Sequence, residues 1–391
     1  MKPVQPYHLL FSLLALSPAL PAHAQPAMYR PTDDARIVET LPAASDPAVR
    51  ALKAMRTRLA THPNDLRLTL DIARRNVELA RRDADPRYLG HAEALLAPWL
   101  ARRQDADLFV LQATVLQSNH RFDAASAMLD RALTLAPGNA QAWLTRVTIE
   151  QVRGNYAEAR NACTRLARLV DAGYALACHA GVMSLTGSGA AAYRVLEQRA
   201  ASDAAADWER AGLHVSLAEL AARLGRPDEA RRWFRQALAE SPDAYTRAAY
   251  ADFLLDAHDD GAVLDLLAGM ERADPLLLRL AEATRRSRHA SDAPLVAALQ
   301  ARFDAARARG EAVHMREESR FHLRLLGDAQ GALMLAQRNW DVQREPADAR
   351  VLLEAALAAN DRRAAQPVID WLRETRLEDV VLANLVQRIG A

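Results

Sequence analysis

Residues 121–171 have the sequence RFDAASAMLDRALTLAPGNAQAWLTRVTIEQVRGNYAEARNACTRLARLVD, and this stretch decides the fold. Ala125, Leu129 and Ala132 are spaced as neighbours on one face of a helix. A Pro-Gly-Asn turn at 137–139 ends that helix, because proline cannot continue it and glycine and asparagine tolerate the turn. A Gly-Asn turn at 154–155 ends the next helix. The stretch therefore predicts three helices separated by two tight turns.

The apolar face of the first helix returns 34 residues further along the chain, where Ala159, Cys163 and Leu166 take the same relative positions. A constant period of this length is typical of an array in which each repeat is one helix pair. A single helix pair cannot bury its apolar face alone, so neighbouring pairs have to stack. The sequence therefore predicts an all-α solenoid of stacked antiparallel helix pairs.

Composition supports a helical, folded chain and excludes some function classes. The chain has 391 residues, of which half are apolar and only 15 are glycine, and alanine, leucine and arginine are abundant. This balance favours helix over sheet and can bury a core. The formal net charge is +1, with 50 basic and 49 acidic residues. A neutral balance argues against a nucleic-acid partner, which usually requires a basic face.

The N-terminus has the features of a secretory signal at residues 1–24. Lys2 supplies a positive charge, an apolar run follows at 9–16, and Ala22-His23-Ala24 matches a small-residue cleavage site. The apolar run is too short for a membrane anchor. We therefore expect cleavage before Gln25 and a periplasmic mature protein with no membrane insertion after cleavage. An arginine- and alanine-rich chain with such a signal resembles exported proteins of Gram-negative bacteria.

The rest of the chain divides into four predicted segments. Residues 25–46 are rich in proline and are expected to form an extended N-terminal arm. Degenerate helical repeats are expected at 47–105, where Asp65 can cap a helix because its side chain accepts free backbone N–H groups. The regular array spans 106–243. Degenerate repeats follow at 244–391 and end in a capping helix, which an array needs because its last repeat has no neighbour.

The repeated residues resemble the tetratricopeptide repeat family. The resemblance is specific over 106–173 and 211–243 and rests on Pro137, Trp143, Ala125, Ala132, Ala159, Gly225, Ala230, Phe234, Ala237 and Pro242. It implies a right-handed superhelix with a concave groove that binds peptide segments or partner proteins. The fold alone does not determine the function.

The resemblance also implies which side chains of the first helices face the groove. These are Asp107, Val110, Thr114, Gln117, Gln141, Leu144, Thr148, Gln151, Val215, Glu219, Tyr245 and Asp252. Glutamine and threonine in such positions would suit hydrogen bonds to an extended peptide backbone. An ordinary solvated surface is the alternative interpretation.

Cys163 and Cys178 are the only cysteines of the chain. They lie on either side of a predicted turn, at similar distances from it, so a disulfide is geometrically possible between the two helices. In an exported protein a disulfide would persist. Two buried thiols and a redox role are the alternatives, and the repeat register places Cys178 on the groove side, which weakens the case for a bridge.

The sequence contains no recognisable catalytic, metal or cofactor motif. His314 and His322 could share a helix face, but a metal site needs three or four converging ligands. We therefore expect no cofactor and no enzymatic activity. The sequence favours a periplasmic scaffold that binds a protein or peptide partner in envelope assembly, maturation or export. The alternative is an accessory protein of a metal- or redox-handling system that uses Cys163 and Cys178.

Overall fold

A computed structural model describes Asp33, Ala35 and residues 46–203, 205–288, 291–309 and 314–390. The predicted signal at 1–24 and nearly all of the predicted arm at 25–46 lie outside these residues. The chain divides into two compact units, residues 1–51 and 52–391. All helices after the first belong to the second unit, and the groove and contacts described below lie within it.

The described residues form helices and no β-strand, which confirms the predicted all-α solenoid. The helices are α1 (Pro47–Thr61), α2 (Leu66–Asp83), α3 (Arg87–Leu100), α4 (Ala106–Ser118), α5 (Phe122–Leu135), α6 (Ala140–Val152), α7 (Tyr156–Leu166), α8 (Ala172–Met183), α9 (Gly189–Ala200), α10 (Asp207–Arg223), α11 (Pro227–Glu240), α12 (Ala244–Asp256), α13 (Asp260–Leu267), α14 (Asp274–Ser287), α15 (Ala293–Ala308), α16 (Met315–Phe321), α17 (Ala329–Val342), α18 (Pro346–Ala358), α19 (Gln366–Thr375) and α20 (Val380–Gly390). A π-helical segment, His322–Leu326, continues α16.

The even-numbered helices from α2 to α18 are the first helices of the pairs, and many of them begin at a capping side chain. In five of them an aspartate or asparagine oxygen accepts a hydrogen bond from the backbone N–H three residues further on, at 2.8–3.0 Å. These caps are Asp65, Asp105, Asn139, Asp171 and Asp243. Each such cap stabilises its helix by about 1 kcal/mol. The predicted cap at Asp65 is confirmed.

The turn inside several pairs contains one residue in the left-handed conformation. These residues are His120, Gly154, Gly187, Gly225, His258 and Asn360, with φ between 54° and 79°. Glycine adopts this conformation without steric cost, whereas histidine does so rarely. The turn predicted at 154–155 is therefore present, and the same turn geometry marks repeats whose other consensus residues are absent.

Small residues at the helix crossings and large ones between them form the core. Ala125, Ala159 and Ala230 are fully buried, which lets paired helices approach closely, and Phe109 and Phe234 fill the space between pairs. This close packing is what the repeat pattern predicts, because each pair buries its apolar face against its neighbours.

The chain also folds back on itself, so that residues near 344 reach the turn between α6 and α7. The backbone N–H of Arg344 donates to the carbonyl of Val152 at 2.6 Å. The Tyr156 hydroxyl donates to the Arg344 carbonyl at 3.4 Å. Beside this turn, Trp340 and Trp371 meet edge to face with ring centroids 5.3 Å apart. Both indoles are nearly buried, so the C-terminal repeats pack firmly against the middle of the array.

Two further turns are covered in the same way. The backbone N–H of Ala190 donates to Glu378 Oε2 at 3.1 Å, which places a carboxylate at the N-terminus of α9, where the helix dipole favours negative charge. Val380 lies over the turn between α10 and α11, because a Cβ placed on Gly225 would lie 3.3 Å from Val380 Cγ1. We call these contacts of residues 344–380 with the turns at Gly154, Gly187 and Gly225 the closing contact.

Candidate functional site

A groove of about 2370 Å³ runs along the first helices of the repeats. Residues of α2 and of α20 also contribute to its lining. Pockets for small ligands usually occupy about 300–1,000 Å³. The groove therefore has room for a segment of polypeptide.

The groove includes some of the side chains predicted from the repeat register and not others. Its lining contains Gln117, Leu144, Gln151, Glu219, Tyr245 and Asp252. Six other predicted positions are not part of this lining: Asp107, Val110, Thr114, Gln141, Thr148 and Val215.

Packing between neighbouring first helices explains this division. Val110, Thr114 and Val215 are at most 9% exposed, because they face the adjacent helix. The Thr114 hydroxyl donates to the Val110 carbonyl at 3.0 Å and so has a partner within its own helix. Asp107 and Gln141 lie near the N-termini of α4 and α6 and are exposed there. On α4 and α6 the side chains that reach the groove lie further along the helix, whereas Tyr245 reaches it from the second position of α12.

The part of the groove lining contributed by α4, α6 and α8 has no charged side chain. We call its residues the uncharged wall: Gln117 and Ser118 of α4, Leu144 and Gln151 of α6, and Ala177, Cys178, Gly181 and Leu185 in and after α8. All of them are partly exposed. This wall offers aliphatic surface together with two amides, Gln117 and Gln151, that occupy equivalent positions 34 residues apart.

Another part of the lining is densely charged. We call its residues the charged wall: Asp252 and Asp256 of α12, Arg279 and Glu282 of α14, Arg316, Glu317, Arg320 and Arg324 in and after α16, and Glu345, Arg350 and Glu354 at α18. Acidic and basic residues occur together on α14, α16 and α18, and they pair with one another within and between helices.

Asp252 is the centre of this wall. Its two carboxylate oxygens accept from Arg279 and from Arg320, each at 2.5 Å. Burial alone would raise the pKa of Asp252, but the two guanidiniums hold it below its usual range. Arg320 also donates to both oxygens of Glu282, at 2.6 and 2.9 Å. The four side chains form one continuous network across α12, α14 and α16.

A second network joins α12 to α18 directly. Arg350 donates to both oxygens of Asp256, at 2.6 and 2.7 Å, although the two residues are 94 positions apart. Arg350 also pairs with Glu354 at 2.9 Å, and Arg324 pairs with Glu354 at 2.7 Å. These bridges span helices that are distant in sequence, so they tie the C-terminal repeats to the middle of the array.

Three charged groups of α10 line the groove: Glu209, which pairs with Arg199 at 2.7 Å, Glu219 and Arg223. The Tyr245 hydroxyl donates to Glu219 Oε1 at 2.8 Å, and burial raises the pKa of Glu219. Arg223 donates to the carbonyl and the hydroxyl of Ser184, at 3.2 and 3.3 Å, and burial lowers its pKa. Tyr245 is 59% exposed, but this exposed surface faces the groove.

Cys163 and Cys178 form a disulfide, with a sulfur–sulfur distance of 2.00 Å. The bridge joins α7 to α8 and therefore links two consecutive repeats. Cys163 is fully buried, whereas Cys178 lies in the uncharged wall, on the groove side as the repeat register predicts. The groove-side position of Cys178, which we expected to weaken the case for a bridge, is compatible with it because α7 and α8 pack directly against each other.

The two histidines considered as metal ligands have different surroundings. His314 lines the groove, and His322 Nδ1 pairs with Asp328 Oδ2 at 2.9 Å. Among the described residues, no group of three or more His, Cys, Asp or Glu side chains is arranged to hold a metal ion. In the same part of the chain, no helix combines the length and the apolar character needed to cross a membrane.

Comparisons with known proteins found one family model and several solved structures that match the chain. The tetratricopeptide repeat family model matches residues 203–244, which contain α10 and α11. A chain of the APC/C hetero-tetramer Cut9-Hcn1 is 13% identical, with a TM-score of 0.50 and coverage of 84% of this chain. Residues 203–244 therefore match a tetratricopeptide repeat, within a solenoid of helix pairs. This chain spans 64% of the length of that Cut9-Hcn1 chain.

Two other solved structures were found similar to this chain at 13% identity. The human IFIT1 dimer has a TM-score of 0.41, with 88% of this chain and 86% of that chain covered. A tetratricopeptide repeat protein from Parabacteroides merdae has a TM-score of 0.33, with 79% and 98% covered. No curated protein sequence matches the chain.

Sequence reasoning missed the charged wall and the closing contact. One signal for the charged wall was available, because Arg316, Arg320 and Arg324 recur every fourth residue and so share a helix face. No comparable local signal exists for the closing contact, since its partners are separated by as many as 188 residues.

Proposed function

We propose that the protein is a non-enzymatic scaffold that holds a segment of a partner protein in its groove. The observation that carries the proposal is the continuous groove along the first helices, with partly exposed aliphatic and amide side chains on its uncharged wall. Tetratricopeptide repeats provide a preformed concave surface of this kind. Fixed helices keep the cost of ordering the binding surface low, which favours affinity.

The amides of the uncharged wall suit a polypeptide ligand. Gln117 and Gln151 each carry one acceptor and two donors and can therefore bond either polar group of a peptide backbone. Their equivalent positions in consecutive repeats would let one ligand segment contact both. Leu144 and Leu185 supply aliphatic contact area beside them.

We further propose that the protein works in the periplasm, in envelope assembly, maturation or export. The signal features at residues 1–24 support this location. The Cys163–Cys178 bridge supports it independently, because disulfides persist in oxidising compartments and are rare in the cytosol.

Site-specific photo-crosslinking in cells tests the groove. A benzophenone amino acid replaces Gln117 in one variant and Ala127 in another; Ala127 is exposed on α5 of the same pair and does not line the groove. We expect a crosslinked partner with the probe at 117 and none at 127. Equal crosslinking at both positions, or crosslinking at 127 alone, would contradict a groove-bound partner.

A further inference from the structure

We infer that the segment bound by the groove is uncharged and aliphatic, and that it lies against the uncharged wall. This inference rests on the proposed function and adds the chemistry of the partner. It follows from the unequal chemistry of the two walls and from the way the protein uses its own charges.

The charged wall has no carboxylate or guanidinium left for a ligand among the groups described above. Arg279, Arg320 and Arg350 each pair with a carboxylate of the same wall at 2.5–2.7 Å. Arg316 contacts Glu317, Glu345 and Asp348 at 3.2–3.3 Å. A charged ligand would have to separate one of these pairs and leave one of its members unpaired in a sheltered site, which is strongly unfavourable.

The charged groups on α10 that line the groove are engaged as well, and Glu209 pairs with Arg199. Glu219 accepts the Tyr245 hydroxyl hydrogen bond, and Arg223 donates to Ser184 at the C-terminal end of α8. Both arrangements are internal to the protein. On α4, α6 and α8 the groove therefore offers a ligand aliphatic surface and neutral amides.

The chain itself shows what this surface accepts. Val381 and Leu382 of α20 line the same groove, and Leu382 is only 1% exposed. An aliphatic stretch of this protein is thus already packed in the lining of the groove. A partner segment of the same character would extend this apolar contact along α6 and α8.

Gly181 keeps the middle of the uncharged wall open. A Cβ placed on this glycine would meet only the Nε2 atom of Gln151, at 3.4 Å, so a longer side chain would project toward the groove. Gly181→Leu should therefore obstruct the groove without a backbone clash. Leu144→Gln should weaken the aliphatic contact instead of blocking it, and Ala127→Leu on the exposed side of α5 is the matched control.

The test uses fluorescently labelled synthetic peptides of about twelve residues and the mature chain, with Kd measured by fluorescence polarisation. One peptide alternates Leu and Val with Ser and Gln. Two others carry Glu or Lys in place of half of the aliphatic residues. We expect the uncharged peptide to bind at least about tenfold more tightly than either charged one.

Salt and the groove variants complete the test. We expect the Kd of the uncharged peptide to change less than about twofold between about 0.05 and 0.5 M NaCl, because salt screens charges and leaves aliphatic contacts in place. Gly181→Leu and Leu144→Gln should each weaken binding about tenfold, with circular dichroism confirming the fold, and Ala127→Leu should not. Tighter binding of a charged peptide, or a loss of about tenfold with salt, would overturn the inference while leaving the scaffold proposal intact.

If none of the peptides binds, the segment crosslinked at position 117 decides the question by mass spectrometry. An uncharged aliphatic segment supports the inference, and a charged segment overturns it. Absence of both peptide binding and crosslinking would overturn the scaffold proposal and this inference together.

Discussion

Replacing both cysteines with alanine should destabilise the protein by about 3 kcal/mol, because the bridge closes a loop with a sequence separation of 15 residues. In the chain-entropy description, a crosslink over about 15 residues restricts the unfolded chain by that amount at 25 °C. The bridge joins consecutive repeats, so its loss should also weaken the interface between the α6–α7 pair and the α8–α9 pair. Cys163→Ala with Cys178→Ala avoids placing a polar hydroxyl at the fully buried position 163.

Urea unfolding of the mature chain, followed by circular dichroism, measures this difference. The unfolding free energy of the double variant should be lower than that of the parent by about 3 kcal/mol. Parent protein treated with reductant should match the variant, and reductant should leave the variant unchanged. Thiol titration of the unfolded, unreduced parent should find no free thiol, since the two cysteines are paired.

Two outcomes would refute the reasoning. One is equal stability of parent and double variant, which would mean that the bridge does not constrain the unfolded chain. The other is recovery of two free thiols from the parent, which would mean that the bridge does not form in the protein.

Three further predictions concern the core, pH and processing. Phe234→Ala should lower the unfolding free energy, measured with urea, by about 3–5 kcal/mol, because Phe234 is 1% exposed and packs on Tyr250 and Phe253. Phe234→Leu should lower it by less than half as much. Equal losses in the two variants would contradict the packing argument. Burial, followed by the positive charge of Arg316, lowers the pKa of His120 from 6.5 to about 4. The unfolded state therefore takes up the proton first, so the unfolding free energy should fall as the pH drops from about 6.5 to about 4, by at most about 3 kcal/mol. In the variant His120→Asn the new side chain tolerates the left-handed backbone at this position. The variant should lose this part of the pH dependence, and an unchanged pH profile would contradict the assignment to His120. Mass spectrometry of protein from a periplasmic extract should find Gln25 as the N-terminus, and an intact residue 1 would contradict the signal interpretation.

The repeat architecture could be predicted from the sequence because its determinants are local. Ala125 and Ala159 share a phase of 34 residues, and the turn at 154–155 and the cap at Asp65 each depend on a few neighbouring residues. The family match at 203–244 lies on the repeat whose consensus residues are clearest in the sequence. Such short-range patterns are independent of how distant repeats meet.

The groove could be predicted only in part. Gln117, Leu144 and Gln151 reach it, whereas Val110 and Thr114 are buried between neighbouring first helices, and the repeat register alone does not separate these two sets. The charged wall depends on contacts between distant helices, such as Arg350 with Asp256. Each of these side chains in isolation is typical of a solvated helix surface.

The closing contact has a consequence for synthesis of the chain. The turn at Gly154 is covered only after residue 344 has been added, and the turn at Gly187 only after residue 378, which follows Ala190 by 188 positions. Chains cross or leave the synthesis machinery from the N-terminus onward, and N-terminal parts fold first. The middle repeats therefore emerge with their turns uncovered and one side of the groove still missing. The groove with both of its walls exists only after the C-terminal repeats have been added.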